Sequence, residues 1–297
     1  MAKNSSNHRI FTLNCNGTMV VIDKPLVMGI LNITPDSFYS GSRFNDMPSV
    51  LRKFESMMRN GADIIDIGGQ STRPGSKRID IEEELSRVIP VISSLKKEFP
   101  SAIISIDTFY SRVASESVSA GASIVNDVSF GTIDENMLPV VSTLRVPYVC
   151  MHALGMQDTM QHAPVYENVT REVFDFFTAK IEKCRAAGIY DIIIDPGFGF
   201  GKTIRHNFEL LKNLSVFTAL DKPILLGISR KSTIYKTLNT TAEEALNGTT
   251  VLNTIGLMNG ANILRVHDVK EAKEVVLLVE SLSLEYPVKK LGVVPDS

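Results

Sequence analysis

Eight short apolar runs recur along the chain, and each ends in polar residues capable of chemistry. Leu26–Leu31 runs into Asn32, and Ile64–Ile67 into Gly68–Gly69, with Thr72 and Arg73 just beyond. Ile103–Ile106 ends at Asp107, Ile124–Val125 at Asn126–Asp127, and Val146–Cys150 at Met151–His152. Ile192–Ile194 ends at Asp195, Ile224–Ile228 at Ser229–Arg230–Lys231, and Ile263–Val266 at His267–Asp268. Successive ends lie about 19 to 44 residues apart, enough for one strand and one helix each time. The pattern predicts an α/β chain folded as a (β/α)8 TIM barrel, which keeps its chemistry at the C-terminal ends of its strands.

The segments between the runs carry helical signals. Ile81–Lys97 sets Ile81, Leu85, Val88, Ile89, Ile92 and Leu95 at helical spacing, with acids early and lysines late. Ser111–Ser119, Asn168–Ala187, Asn207–Phe217, Ala242–Met258 and Val269–Glu285 read as further helices. A glycine, Gly61, Gly121, Gly188 or Gly260, stands just before four of the runs, where a helix stop is expected. Residues 1–24 differ: Ile10–Leu13 and Thr18–Ile22 flank Asn16–Gly17, a β-hairpin expected to close the bottom of the barrel. No linker or low-complexity stretch interrupts the chain, so residues 1–297 read as a single domain. Two Gly/Ser-containing loops, Thr34–Phe44 and Gly68–Lys77, follow strands and belong on the active face.

Composition narrows the partners. A net charge of −2 gives no bulk attraction for nucleic acid, so any anion site must be local. No stretch has the pattern of a secretory signal or the length of a membrane span. Cys15, Cys150 and Cys184 are widely spaced and fit no metal pattern, as expected for reduced thiols in the cytoplasm. Leu246–Gly260 is uncharged and rich in small or apolar residues, as a helix buried on two sides would be, either as core or as a dimer face.

Asp107, Asn126 and Asp195 end strands and would point into one barrel mouth, where a cluster of acceptors implies a donor-rich ligand. The plainer alternative is that each caps the helix after it. Asp195-Pro196-Gly197-Phe198-Gly199-Phe200-Gly201-Lys202 offers flat aromatic faces between glycines, or else a turn with core phenylalanines. Arg73, Arg230, Lys231, Arg265 and His267 are the candidate cations. Arg265 and His267 share a strand face and suit a phosphate or pyrophosphate, the alternative being a salt bridge to Asp268 or a neighbouring acid. His152 reads first as a satisfied core histidine. No hydrolase triad or tight zinc motif stands out. Together these residues suit an enzyme that binds a flat ring with an anionic tail.

Five segments in order resemble the dihydropteroate synthase family of the pterin-binding superfamily: Leu31–Phe38, Asp66–Gly75, Asp195–Lys202, Gly227–Ser232 and Arg265–Val269. The resemblance runs from about Pro25 to Glu280. It departs at Gln70, where the family usually has Glu, and at Thr108-Phe109-Tyr110, where a less aromatic sequence is common. The resemblance implies condensation of 6-hydroxymethyl-7,8-dihydropterin pyrophosphate with p-aminobenzoate, a homodimer formed through late helices, and Mg²⁺ as cofactor. It implies a pterin site at Asp107, Asn126, Met151, Asp195 and Lys231, and a pyrophosphate site at Asn32, Arg73, Arg265 and His267, with Asn32 near the Mg²⁺. It further implies a p-aminobenzoate site at Thr72, Arg73, Pro74, Phe200 and Ser229. Asp107, Asp195, Lys231, Arg265 and His267 would then carry catalysis. A tetrahydrofolate-dependent methyltransferase, a catalytically silent pterin-binding homologue and a phosphate-binding barrel of sugar metabolism are the alternatives. The first of these has no need for Arg265–His267.

Overall fold

The computed structural model describes residues 9–33, 47–70, 78–154 and 164–283. An antiparallel hairpin, β1 (Phe11–Cys15) and β2 (Thr18–Ile22), precedes eight parallel strands. These are β3 (Leu26–Asn32), β4 (Ile64–Gly68), β5 (Ile104–Asp107), β6 (Ile124–Asp127), β7 (Tyr148–Met151), β8 (Ile192–Asp195), β9 (Leu225–Leu226) and β10 (Ile263–Val266). Each pairs with the next in sequence from β3 to β8, and β10 lies between β9 and β3. The seam between β8 and β9 is a single parallel bridge, Ile194 to Ile224, so the sheet closes into a barrel. β9 is shorter than the apolar run that predicts it, spanning two residues of Ile224–Ile228. Pro223 brings no N–H to that edge.

Nine helices surround the barrel among the described residues: α1 (Met47–Arg59), α2 (Ile81–Glu98), α3 (Ser111–Ser119), α4 (Met137–Leu144), α5 (Val169–Ala186), α6 (Ile204–Lys212), α7 (Ser232–Thr237), α8 (Leu246–Met258) and α9 (Val269–Ser283). Three lay outside the sequence reading. α1 carries a legible Val50–Phe54–Met57 stripe, whereas α4 and α7 have eight and six residues, too few for a clear period. The helix expected over Asn207–Phe217 is instead α6, started by a Thr203–His206 capping box, followed by a 3₁₀ turn over Leu214–Leu220. The helix expected from Ala242 begins at Leu246. Gly61, Gly121 and Gly260 all have positive φ, 96°, 120° and 98°, and end helices that feed strands β4, β6 and β10.

Alternation along each strand divides the side chains. Val27, Ile65, Ile106, Val125, Tyr148, Ile194, Leu226 and Leu264 are buried among the residues of the helices. Met28, Ile64, Ile124, Val149, Ile193, Leu225 and Ile263 fill the lower barrel, together with Leu13, Cys15 and Ile22 of the hairpin. The hairpin is fastened there by the Asn14 N–H, which donates to Asp191 at 2.8 Å. The lower interior is therefore apolar and plugged, and polar inward positions gather at the opposite end.

One buried acid outside that mouth makes a stability prediction. Neither oxygen of Glu84, on α2, finds a hydrogen-bond partner among the described residues. Burial pushes its carboxyl up from 4.5 to about 8. Between these values the unfolded chain ionises while the folded chain keeps the proton, so stability is lost as pH rises through that window. Glu84→Gln is expected to abolish this slope, gaining up to a few kcal/mol on the wild type between pH 5 and 8. Urea unfolding at both pH values checks it; parallel curves for the two proteins would refute the assignment.

Candidate active site

The inward residues at the top of the strands come from seven of the eight. Asp66, Asp107, Asn126, Met151, Asp195 and Arg265 stand on β4, β5, β6, β7, β8 and β10, with Asn32 at the end of β3 and Lys231 just past β9. None of Asp107, Asn126 and Asp195 caps the following helix. The N-caps of α3, α4 and α6 are Tyr110, Asn136 and Thr203. Asn126 and its neighbour show the division that a strand imposes. Asn126 points inward, while Asp127 points outward and accepts from Ser129, Gly131 and the Tyr148 hydroxyl.

Arg265 is the hub. Its Nε donates to Asp66 Oδ2 and its Nη2 to Asp107 Oδ2, each at 2.7 Å. Asn126 Nδ2 donates to the same Asp66 oxygen at 3.0 Å. The neighbouring-acid alternative for Arg265 therefore holds, and its partners are inside the barrel rather than at Asp268. Burial would lower the guanidinium, but Asp66 and Asp107 outweigh it and raise its pKa above the ordinary arginine value. Burial raises the Asp107 carboxyl, with Arg265 pulling against it. A guanidinium carries five N–H donors, so two carboxylates leave others available. Asp66 is wholly buried and its Oδ1 is unpartnered among the described residues, as is Ser105 Oγ on the adjacent strand position. Asp66 opens the segment Asp66–Gly75 that resembles the family, and it is not among the site residues which that resemblance implies. Its signal is an acid inside the apolar run Ile64–Ile67.

Asp195 and Lys231 form the other wall. Asp195 Oδ1 accepts from the Gly197 N–H at 2.7 Å, which leaves Oδ2 turned toward Gly227. A Cβ at Gly227 would lie 3.6 Å from that oxygen and 3.9 Å from Lys231 Nζ, so the glycine opens a space between acid and amine. Burial raises Asp195, with Lys231 opposing, and burial lowers Lys231 to about 8, with Asp195 opposing. Lys231 donates to the Phe198 carbonyl and lies 4.5 Å over the Phe200 ring. The two phenylalanines separate here: Phe198 is fully buried core, and Phe200 joins the apolar group of Phe109, Val128 and Met151.

The remaining candidates divide. His267 stands at the rim, its Nδ1 3.1 Å from Ser229 Oγ, so Ser229 is engaged with the histidine. Enclosure and the adjacent Arg265 push His267 down to about 4, which makes it a neutral hydrogen-bonding group at neutral pH. Arg230 is a structural clamp: it pairs with Asp268 through Nε and Nη2 at 2.8 Å each, and Nη1 donates to the Ala242 and Glu243 carbonyls. Thr72, Arg73 and Pro74 lie outside the described residues, as do residues 34–46 of the first loop. No cluster of three or more acidic, His or Cys ligands stands ready for a metal ion among the described residues.

The barrel that carries this floor of carboxylates and amide, flanked by two cations, is similar to known proteins. A family model described as pterin binding enzyme matches residues 28–267. Dihydropteroate synthase of Escherichia coli (strain K12) is 42% identical over 271 residues, covering 91% of this chain and 95% of that protein. The Streptococcus pyogenes dihydropteroate synthase is 40% identical over 90% of this chain and 98% of its own length. A Yersinia pestis dihydropteroate synthase solved with a sulfonamide drug complex superposes with a TM-score of 0.86 at 39% identity, covering 92% and 99% of the two chains. The Xanthomonas albilineans dihydropteroate synthase in complex with 7,8-dihydropteroate gives a TM-score of 0.82 at 35% identity over 92% and 98%. On fold, length and sequence alike, the chain belongs to the dihydropteroate synthase family of pterin-binding enzymes.

Proposed function

We propose that this chain joins 6-hydroxymethyl-7,8-dihydropterin pyrophosphate to p-aminobenzoate, forming 7,8-dihydropteroate and pyrophosphate. The observation that carries the reading is the inward layer of Asp107, Asn126 and Asp195 beside Lys231. A pterin edge presents amino and ring N–H donors, and these residues supply acceptors, while Lys231 suits its ring carbonyl. Met151 and Phe200 supply apolar surface beside that edge. Arg265 holds its two acids and still has N–H groups to offer the pyrophosphate, with Asn32 and His267 at the same rim. Phe200 and Ser229, with Thr72, Arg73 and Pro74 of the second loop, are the p-aminobenzoate set.

In the condensation the C–O bond to pyrophosphate breaks with its electron pair leaving on oxygen. The amine lone pair forms the new C–N bond, and one amine proton is released. Positive charge that develops on the pterin methylene is delocalised into the ring. Asp107 and Asp195 stabilise it at short range in a site sheltered from water. An aniline nitrogen is already uncharged at neutral pH, so no general base is required of the protein. Asn32, whose Oδ1 lies beside Gly68 at the strand ends, would hold Mg²⁺ through its amide oxygen, and one protein ligand suits an ion that stays largely hydrated. When bound there, Mg²⁺ would offset charge on the leaving pyrophosphate.

A single domain spanning residues 1–297 accords with one eight-stranded barrel matched by one family model over residues 28–267, and a cytoplasmic setting accords with three buried, free cysteines. No helix among the described residues is long and apolar enough to cross a membrane. A homodimer accords with the outer side of α8, where Val251 and Met258 are exposed, and with Leu277, Leu278 and Leu282 exposed on the adjoining α9.

The test is pyrophosphate release from the pterin substrate with Mg²⁺, with and without p-aminobenzoate, alongside product mass. Release coupled to dihydropteroate supports the reading, and pterin binding without release marks a silent homologue. Gly227→Ala probes the pterin space itself. Its Cβ meets protein atoms only at ordinary contact distance, so the fold should be unchanged. Pterin affinity is expected to fall about tenfold, because the added methyl occupies ligand space. Equal affinity for the two proteins would put the pterin elsewhere.

A further inference from the structure

Two irregular backbone segments meet beside the mouth, residues 152–154 after β7 and residues 196–202 after β8. Their approach is close: a Cβ on Gly197 would lie 1.8 Å from the His152 carbonyl oxygen, and one on Gly201 2.2 Å from that of Leu154. Both glycines also hold positive φ, 71° and 61°. Neither segment is helix or strand, so its buried carbonyls need donors from side chains.

Lys202 supplies them. Its side chain is buried, and Nζ lies 2.9 Å from the Gly197 carbonyl, 3.0 Å from that of Phe200 and 3.2 Å from that of His152. His152 Nδ1 lies 2.9 Å away, a fourth acceptor in the tautomer that carries its proton on Nε2, its ring held edge-on to Phe176. His152 is thus satisfied, as the sequence suggests, and its partner is this amine. An ammonium has three N–H groups, and here they are shared among four acceptors on two segments. On its far side the same loop is anchored by Asn207, which accepts from the Gly199 N–H, and by Tyr166, which donates to Gly201.

The loop so fastened carries two parts of the site: the Phe198 carbonyl that receives Lys231, and the Phe200 ring beneath Lys231. Given the reading of the site above, we propose that Lys202 is a positioning residue for the condensation. It ties the loop after β8 to the end of β7 and so sets the Phe200 ring and the Lys231 amine against the two substrates. It acts through the backbone and touches neither substrate.

The experiment is steady-state kinetics on the full chain, with Lys202→Met, Phe200→Ala and the double variant in one cycle. Dihydropteroate formation by the wild type tests the functional reading independently, and the variants are then judged against it. Lys202→Met keeps the stem and removes the donors. It is expected to raise KM for p-aminobenzoate about tenfold, with a smaller change in kcat, since the misplaced group is the ring assigned to that substrate. In the double variant Lys202→Met should add little to Phe200→Ala, because both act through one ring. His152→Leu removes one acceptor and should shift the same KM in the same direction by a smaller factor, which keeps the test decisive if Lys202→Met does not fold. A lowered Tm with unchanged KM in the folded variants, or fully multiplicative effects in the cycle, would overturn the proposal and leave Lys202 a structural staple.

Discussion

Replacing Asp195 with Asn is expected to lower turnover by about a hundredfold or more while leaving the fold intact. Asparagine keeps an oxygen for the Gly197 N–H, so the turn after β8 survives. What disappears is the negative charge facing Lys231 and the space proposed for the pterin edge. In the ground state this removes one acceptor. In the transition state it removes an anion placed against a growing cation, so kcat should fall more than substrate affinity does. Rapid-quench turnover at saturating substrates, with melting curves for both proteins, checks the result. Near-normal kcat would remove the electrostatic role assigned to Asp195.

Arg265→Met carries the largest expected loss of stability, about 3–5 kcal/mol at neutral pH. Its guanidinium is the cation that receives both Asp66 and Asp107, and Asp66 is fully buried. Methionine fills much of the space but leaves two carboxylates facing each other without a counter-ion. Like charges at this range do not both stay ionised, so one acid in the variant takes up a proton. The folded variant then binds more protons than the unfolded chain, and its stability is lost as pH rises. The deficit relative to wild type should therefore shrink from pH 8 to pH 5. Urea denaturation across that range is the measurement. A deficit independent of pH would mean that Arg265 contributes packing rather than charge.

The barrel was legible because its strands are apolar on both faces and end abruptly in polar residues, a contrast that survives without any partner sequence. The inward placement of Asp107, Asn126 and Asp195 followed from the same endings, and the helix-capping alternative failed for all three. Side-chain pairing was harder to read. Arg230 and Arg265 are both cations at strand ends, yet Arg230 is consumed by Asp268 and two carbonyls while Arg265 bridges acids inside the barrel. That distinction depends on contacts 38 and 199 residues apart along the chain. Asp66 and Lys202 do not stand out in the sequence for the same reason, since each meets a partner far along the chain, Asp66 at Arg265 and Lys202 at His152. Phe198 and Phe200 show the limit of composition: two identical residues two positions apart, one in the core and one beside Lys231.

The most direct measurement is the ratio of dihydropteroate to pyrophosphate formed by the wild type and by Asp195→Asn, assayed side by side with both substrates and Mg²⁺. One dihydropteroate per pyrophosphate is expected in the wild type, and the same ratio at a rate lowered by about a hundredfold in the folded variant. Pyrophosphate without dihydropteroate, or equal rates for the two proteins, would contradict this expectation.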